Sequence, residues 1–168
     1  MSENKNLAIF ESAASLTSLL AIISCAFPAY FEEGKADQSI FHMAGVNGVL
    51  FIGIALLAIA LGTSIYLSVT LFLNKIKPNM TMILAAAAGV AVIVGGIFLA
   101  FSLFVCGYDR LNSELGFTQG AWGIRAGTVL VPSFALLTLI LSYPAALIVL
   151  HHKDLEDAGK KAPEAKDK

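Results

Sequence analysis

Residues 80–106 read MTMILAAAAGVAVIVGGIFLAFSLFVC, a run without a single Asp, Glu, Lys, Arg or His. As a helix rising ~1.5 Å per residue it reaches about 40 Å, more than the ~30 Å hydrocarbon core of a bilayer. A helix is the only open-ended element that satisfies its own backbone in lipid, so the run predicts a transmembrane helix. Just before it stands Asn74-Lys75-Ile76-Lys77-Pro78-Asn79, a short polar turn. So short a connection lays residues 80–106 alongside the preceding apolar run, 46–73, as an antiparallel hairpin.

Two further apolar runs, about 7–31 and 126–150, complete the pattern. The reading is an all-α membrane protein, a four-transmembrane-helix antiparallel bundle with spans of about 7–31, 46–73, 80–106 and 126–150. These form one domain, 1–151, and residues 152–168 read as a disordered, mixed-charge tail. Pro28, Pro132 and Pro144 mark helix ends or kinks. Lys5 followed by an apolar run ending Ile22-Ile23-Ser24-Cys25 resembles a lipoprotein signal, but the run is long for one and continues to Phe31, which favours a retained first helix.

The chain is 57% hydrophobic and only 14% charged, with a formal net charge of -1 over 168 residues. A soluble domain carries nearly twice that charged fraction. There is no basic face for nucleic acid. Lys5, Lys75, Lys77, Lys153, Lys160, Lys161, Lys166 and Lys168 fall on one side of the spans, and Lys35, Arg110 and Arg125 on the other. The positive-inside rule then places both termini in the cytoplasm, and the plasma membrane is the expected location. Asn79-Met80-Thr81 fits the glycosylation pattern but falls on the inner side, where it is expected to stay unused.

The membrane interior is short of chemistry. From Ser12 to Phe31 and through the other three runs there is no acidic, basic or histidine side chain. Pumps, voltage sensors and proton-coupled carriers place ionisable groups at depth. Glu11 is the nearest, and a small four-helix exporter does use a glutamate in its first helix. Here Glu11 reads as interfacial, paired with Lys5 or solvated, since a carboxylate near a helix end can snorkel. His42 belongs to one face of the bilayer and His151 and His152 to the other, which suits neither haem nor a metal. No metalloprotease, nucleophile-elbow or phosphate-loop motif is present. The expectation is no catalytic, cofactor-binding or metal residue.

Small residues recur at helical spacing: Ala87, Ala91 and Gly95, then Gly116, Gly120, Gly123 and Gly127. Small side chains let helix backbones approach where lipid gives no hydrophobic drive, so this set is read as a helix-packing or oligomer face. Hydroxyls along the spans can bond to their own helix backbone. Tyr108, Asp109, Arg110, Phe117 and Trp122 lie in the long connection before the last helix, a candidate outer segment facing a partner. Cys25 and Cys106 both lie near the outer ends of their helices. They are either two apolar thiols or a disulfide between the first and third helices.

With Pro28-Ala29-Tyr30 closing helix one, the tight inner turn, and Leu115-Gly116-Phe117 before Gly120-Ala121-Trp122-Gly123, the layout resembles the claudin and peripheral-myelin-protein group. MARVEL-type four-helix proteins share the topology. The first outer loop, 32–45, reads as too short for the claudin group's extracellular sheet, and its W-G-L-W-C-C signature is missing, so paracellular pore formation is not implied. The functional expectation is a non-enzymatic tetraspan protein acting by lateral association. It would be a scaffold or accessory subunit partnered by lipids, copies of itself or other membrane proteins. The alternative is an oligomeric channel or carrier for an uncharged or lipidic solute.

Overall fold

A computed structural model describes residues 2–32, 37–45, 48–75, 77–100 and 122–161. Along the chain run α1 (Ser2–Ser24), β1 (Pro28–Glu32), β2 (Gln38–Ser39), α2 (Ile40–Ala44), α3 (Gly48–Phe72), α4 (Pro78–Ala100), β3 (Trp122–Ile124) and α5 (Ala126–Lys161). Four helices are long and apolar enough to cross a membrane, within Asn4–Ser24, Gly48–Phe72, Asn79–Leu99 and Ala126–Tyr143.

The first helix is shorter than the apolar run that encodes it. Cys25, Ala26 and Phe27 close α1 with amide bonds to the carbonyls of Ile22, Ile23 and Ser24 at 3.0, 2.9 and 3.1 Å. Pro28 then pushes Phe27 out of helical geometry and has no amide to extend the ladder. The residues after it, Pro28–Glu32, form a strand. Apolar content alone had assigned them to the helix, and the structure corrects this.

The same strand is part of a small sheet that the sequence reading did not expect. A three-stranded sheet of order β2-β1-β3 takes its central strand from residues assigned to helix one and an edge strand from the segment before α5. Both pairings are antiparallel, with Tyr30 opposite Ile124, Phe31 opposite Gly123 and Glu32 opposite Trp122. Ser39 caps α2, its Oγ accepting from the His42 amide at 3.2 Å.

The turn after α3 is built on Asn74, the one non-glycine with positive φ among the described residues (50°). Its amide donates to Leu71 O at 3.1 Å and the Lys75 amide to Thr70 O at 3.0 Å. These are the two bonds of a Schellman cap, which needs a left-handed residue and tolerates asparagine. Pro78 opens α4, where a missing amide costs nothing. The Asn4 amide group reaches Asn74 Oδ1 at 2.9 Å and ties the start of α1 to this turn.

Of the two readings of Pro132 and Pro144, helix ends or kinks, the first is excluded, because α5 runs through both. It also continues to Lys161, so the first ten residues of the segment read as a disordered tail are helical. Charged residues do not stop a helix that begins as a packed span.

Helix α1 packs on α3 and α5, α4 packs on the same two, and the diagonal pairs barely touch. The ring encloses two apolar clusters. The larger, at the sheet end, holds Cys25, Ile40, Met43, Leu50, Leu57 and Val131 among others. The smaller, at the turn end, holds Leu7, Ala8, Leu67, Leu71 and Ala85. Between them lies a layer containing Glu11, Ser18 and Ser64, all 0% exposed.

Candidate functional site

The middle layer is where polar chemistry enters the helices. Along α1 the buried positions are Leu7, Ala8, Glu11, Ala14, Ser18, Ala21 and Ser24. Their spacing of three and four residues draws one inward stripe, and Glu11 falls on it. Lys5 is six residues away, about 120° around the helix, and is exposed. The interfacial reading of Glu11 is therefore corrected. The carboxyl faces the neighbouring helices, seven residues inside the Asn4–Ser24 span, or about 10 Å at ~1.5 Å per residue. The stripe is present in the sequence, and following it from Leu7 to Ser24 would have found the site.

Both carboxyl oxygens of Glu11 are buried without a hydrogen-bond partner, and so is Ser64 Oγ on α3. Ser64 is the side chain close enough to act on the carboxyl, yet neither group completes a bond in this geometry. The other hydroxyls of the layer are satisfied. Ser12 donates to Ala8 O at 2.8 Å, and Ser68, 2.6 Å from Ser12 Oγ and 3.3 Å from Ala8 O, donates its one proton to either. Ser18 donates to Leu57 O at 3.2 Å. Thr17 and Thr138 meet at 2.9 Å across α1 and α5. Thr63, Thr70, Ser133 and Ser142 bond to carbonyls four residues back, as hydroxyls in apolar helices commonly do.

The Thr17–Thr138 pair offers a direct measurement. Each hydroxyl also has a carbonyl on its own helix, Ala14 O at 3.0 Å and Phe134 O at 2.9 Å. A Thr17→Val, Thr138→Val double-mutant cycle in reversible detergent unfolding is expected to give a coupling of about 0.6 kcal/mol, the average for such bonds in membrane helices. A coupling above about 2 kcal/mol would mean that the pair does more than join two helices.

The small residues of the sequence pattern divide. Gly95 packs against α3, where an added Cβ would sit 3.0 Å from both Gly53 O and Leu56 Cβ. Ala91 belongs to the larger apolar cluster, while Ala87 faces outward. Gly127 lies under the sheet, its hypothetical Cβ 2.7 Å from Phe27 O and 3.0 Å from Pro28 O. Gly123 pairs with Phe31 in the sheet, and Trp122 with Glu32. Gly116, Gly120, Tyr108, Asp109, Arg110, Phe117 and Cys106 lie outside the described residues. Cys25 is a free, buried thiol donating toward Ala21 O at 3.5 Å.

At the sheet end a shallow groove of about 440 Å³ is lined by Ala26, Pro28, Asp37, Gln38, Ser39 and His42. Arg125 Nε stands 3.5 Å from Asp37 Oδ2, both side chains being well exposed. An exposed pair of this kind contributes little to stability. The groove is open and its charged side chain, Asp37, already pairs with Arg125 at the surface, so the buried carboxyl is the stronger candidate.

Fold and site together define a multi-pass membrane protein with four apolar helices of spanning length and, among the described residues, one acidic side chain turned inward. Comparison with family models, curated proteins and solved structures finds no match.

Proposed function

We propose that this chain is a non-enzymatic tetraspan protein that acts by lateral helix association, as a membrane-organising scaffold or an accessory subunit of a larger complex. In this reading the four helices form an antiparallel bundle with both termini in the cytoplasm, the sheet lies outside, and the plasma membrane is the host. The carrying observation is how the helix surfaces are used. Between 28% and 39% of each spanning window is buried within the chain, so most of every span is apolar surface available to lipid or to another helix. Meanwhile nearly every interior hydroxyl described above is already bonded, which leaves few groups for handling a solute.

The small sheet joins the segment after the first span to the segment before the last. The segment 107–125 would then present Tyr108, Asp109, Arg110, Phe117 and Trp122 to a partner. The layer of hydroxyls around Thr17, Ser64 and Thr138 is the observation that favours the competing reading, a carrier for an uncharged or lipidic solute.

Purification from native membranes in a gentle detergent tests the association reading. The expected result is a species heavier than one chain, or a constant set of co-migrating membrane proteins. A lone monomer overturns it. Selective, saturable flux through liposomes containing only this protein overturns it in favour of the carrier.

A further inference from the structure

We propose that Glu11 is a proton-binding site inside the spanning helices, and that the Glu11–Ser64 contact joining α1 to α3 holds only while the carboxyl keeps its proton. This inference is independent of the association reading.

The argument starts from three buried atoms without partners: both carboxyl oxygens of Glu11 and Ser64 Oγ. Buried polar groups in proteins are nearly always satisfied, so three orphans on two facing side chains need a common explanation. One proton supplies it. A protonated carboxyl has a donor and an acceptor, and a serine hydroxyl has both as well. A small rotation lets the acid donate to Ser64 Oγ while the serine donates back to the other carboxyl oxygen. An ionised carboxylate accepts only, so Ser64 could satisfy one oxygen while the other stayed bare and a full charge sat in a layer walled by apolar clusters on both sides.

Among the described side chains no counter-charge faces it, Lys75 and Lys77 at the turn being exposed. On α1 the nearest cation, Lys5, is exposed. On α3 the one titratable side chain is Tyr66, 55% exposed. Helix α4 has no titratable residue between Pro78 and Ala100, and α5 has only Tyr143 from Ala126 to Leu150, 60% exposed. A divalent cation is a poor occupant, since it takes about six oxygens and no group of three His, Cys, Asp or Glu forms among the described residues.

Ionisation therefore requires water to reach the carboxyl. The smaller cluster, Leu7, Ala8, Leu67, Leu71 and Ala85, is what separates Glu11 from the turn end. Loss of the proton would open this end of the α1–α3 contact and leave the larger cluster at the sheet end closed, a local rather than global opening.

Dicyclohexylcarbodiimide tests this in the full chain reconstituted in liposomes. The reagent enters the hydrocarbon and consumes a protonated carboxyl. The acid O–H adds across one N=C bond to give an O-acylisourea, which rearranges to an N-acylurea with no leaving group, so the peptide gains the whole reagent mass. Mass spectrometry is expected to find Glu11 modified, with labelling falling about tenfold per pH unit once the carboxyl ionises. A water-soluble carbodiimide should spare Glu11 while modifying the tail carboxylates. Equal labelling by the two reagents, or no labelling of Glu11 at any pH, overturns the proposal. In parallel, the melting temperature of the wild type should fall as pH rises relative to Glu11→Gln, whose amide mimics the protonated acid. Stability from the Glu11–Ser64 contact is present while the proton is held and lost as pH climbs. If the two proteins keep a constant difference across pH, the proton-dependent contact is refuted. The labelling result on the wild type stands even if the variant does not fold.

Discussion

Gly127→Val is expected to lower unfolding stability by about 2–4 kcal/mol and to free the sheet from α5. Overpacking against a surface that cannot rotate away costs ~1–3 kcal/mol, and a lost hydrogen bond adds ~0.5–1.5. Both apply here. The new Cβ would lie 2.7 Å from Phe27 O and 3.0 Å from Pro28 O, both main-chain atoms at the start of β1. The same stretch carries the staple that holds the sheet. Ala29 O accepts from the Arg125 amide at 2.8 Å and from Thr128 Oγ1 at 2.7 Å, so pushing residues 27–28 away strains both bonds. Thermal unfolding in detergent, with limited proteolysis between residues 25 and 45, reads the two parts of the effect. A variant as stable and as protected as the wild type would show that the sheet is not held where the contacts place it.

Gly95→Leu is expected to cost about 3 kcal/mol, the upper part of the range for overpacking, and Gly96→Leu next to it close to nothing. The contrast comes from facing. At Gly95 the Cβ would meet the Gly53 carbonyl oxygen and Leu56 Cβ, each at 3.0 Å. At Gly53 the reciprocal Cβ would stand 3.1 Å from Gly95 O and 2.7 Å from Leu99 Cγ. The two glycines are one contact seen from both sides, and a leucine in it drives α3 and α4 apart. At Gly96 nothing lies within 4 Å. Reversible unfolding of both variants in the same detergent decides. Equal losses at 95 and 96 would mean that the cost comes from the glycine-to-leucine change itself and not from a close approach of α3 to α4.

How much of this was legible beforehand depended on whether the determining force is local. The runs around 46–73 and 80–106 are apolar throughout and bounded by charge and proline, so length and composition suffice to place helices of spanning length there. The turn at Asn74 was legible for the same reason, its cap residues being adjacent in sequence. The end of helix one was not. Phe27 to Phe31 is as apolar as the residues before it, and what makes Pro28–Glu32 a strand is an edge offered by Trp122–Ile124, about ninety positions away. Glu11 failed differently. Its distance from the helix end points to water, while its place on the Leu7–Ala14–Ser18–Ala21 stripe turns it inward.

Sequence alone determined that four apolar segments leave the aqueous phase, because transfer into hydrocarbon is a sum over side chains and needs no knowledge of neighbours. Tertiary structure decided which face of each helix turns inward. That choice sets Gly95 against Gly53, brings three short strands into one sheet, and encloses Glu11 beside Ser64. Each of these depends on the close approach of two distant backbones, a property of their relative placement that no single segment carries.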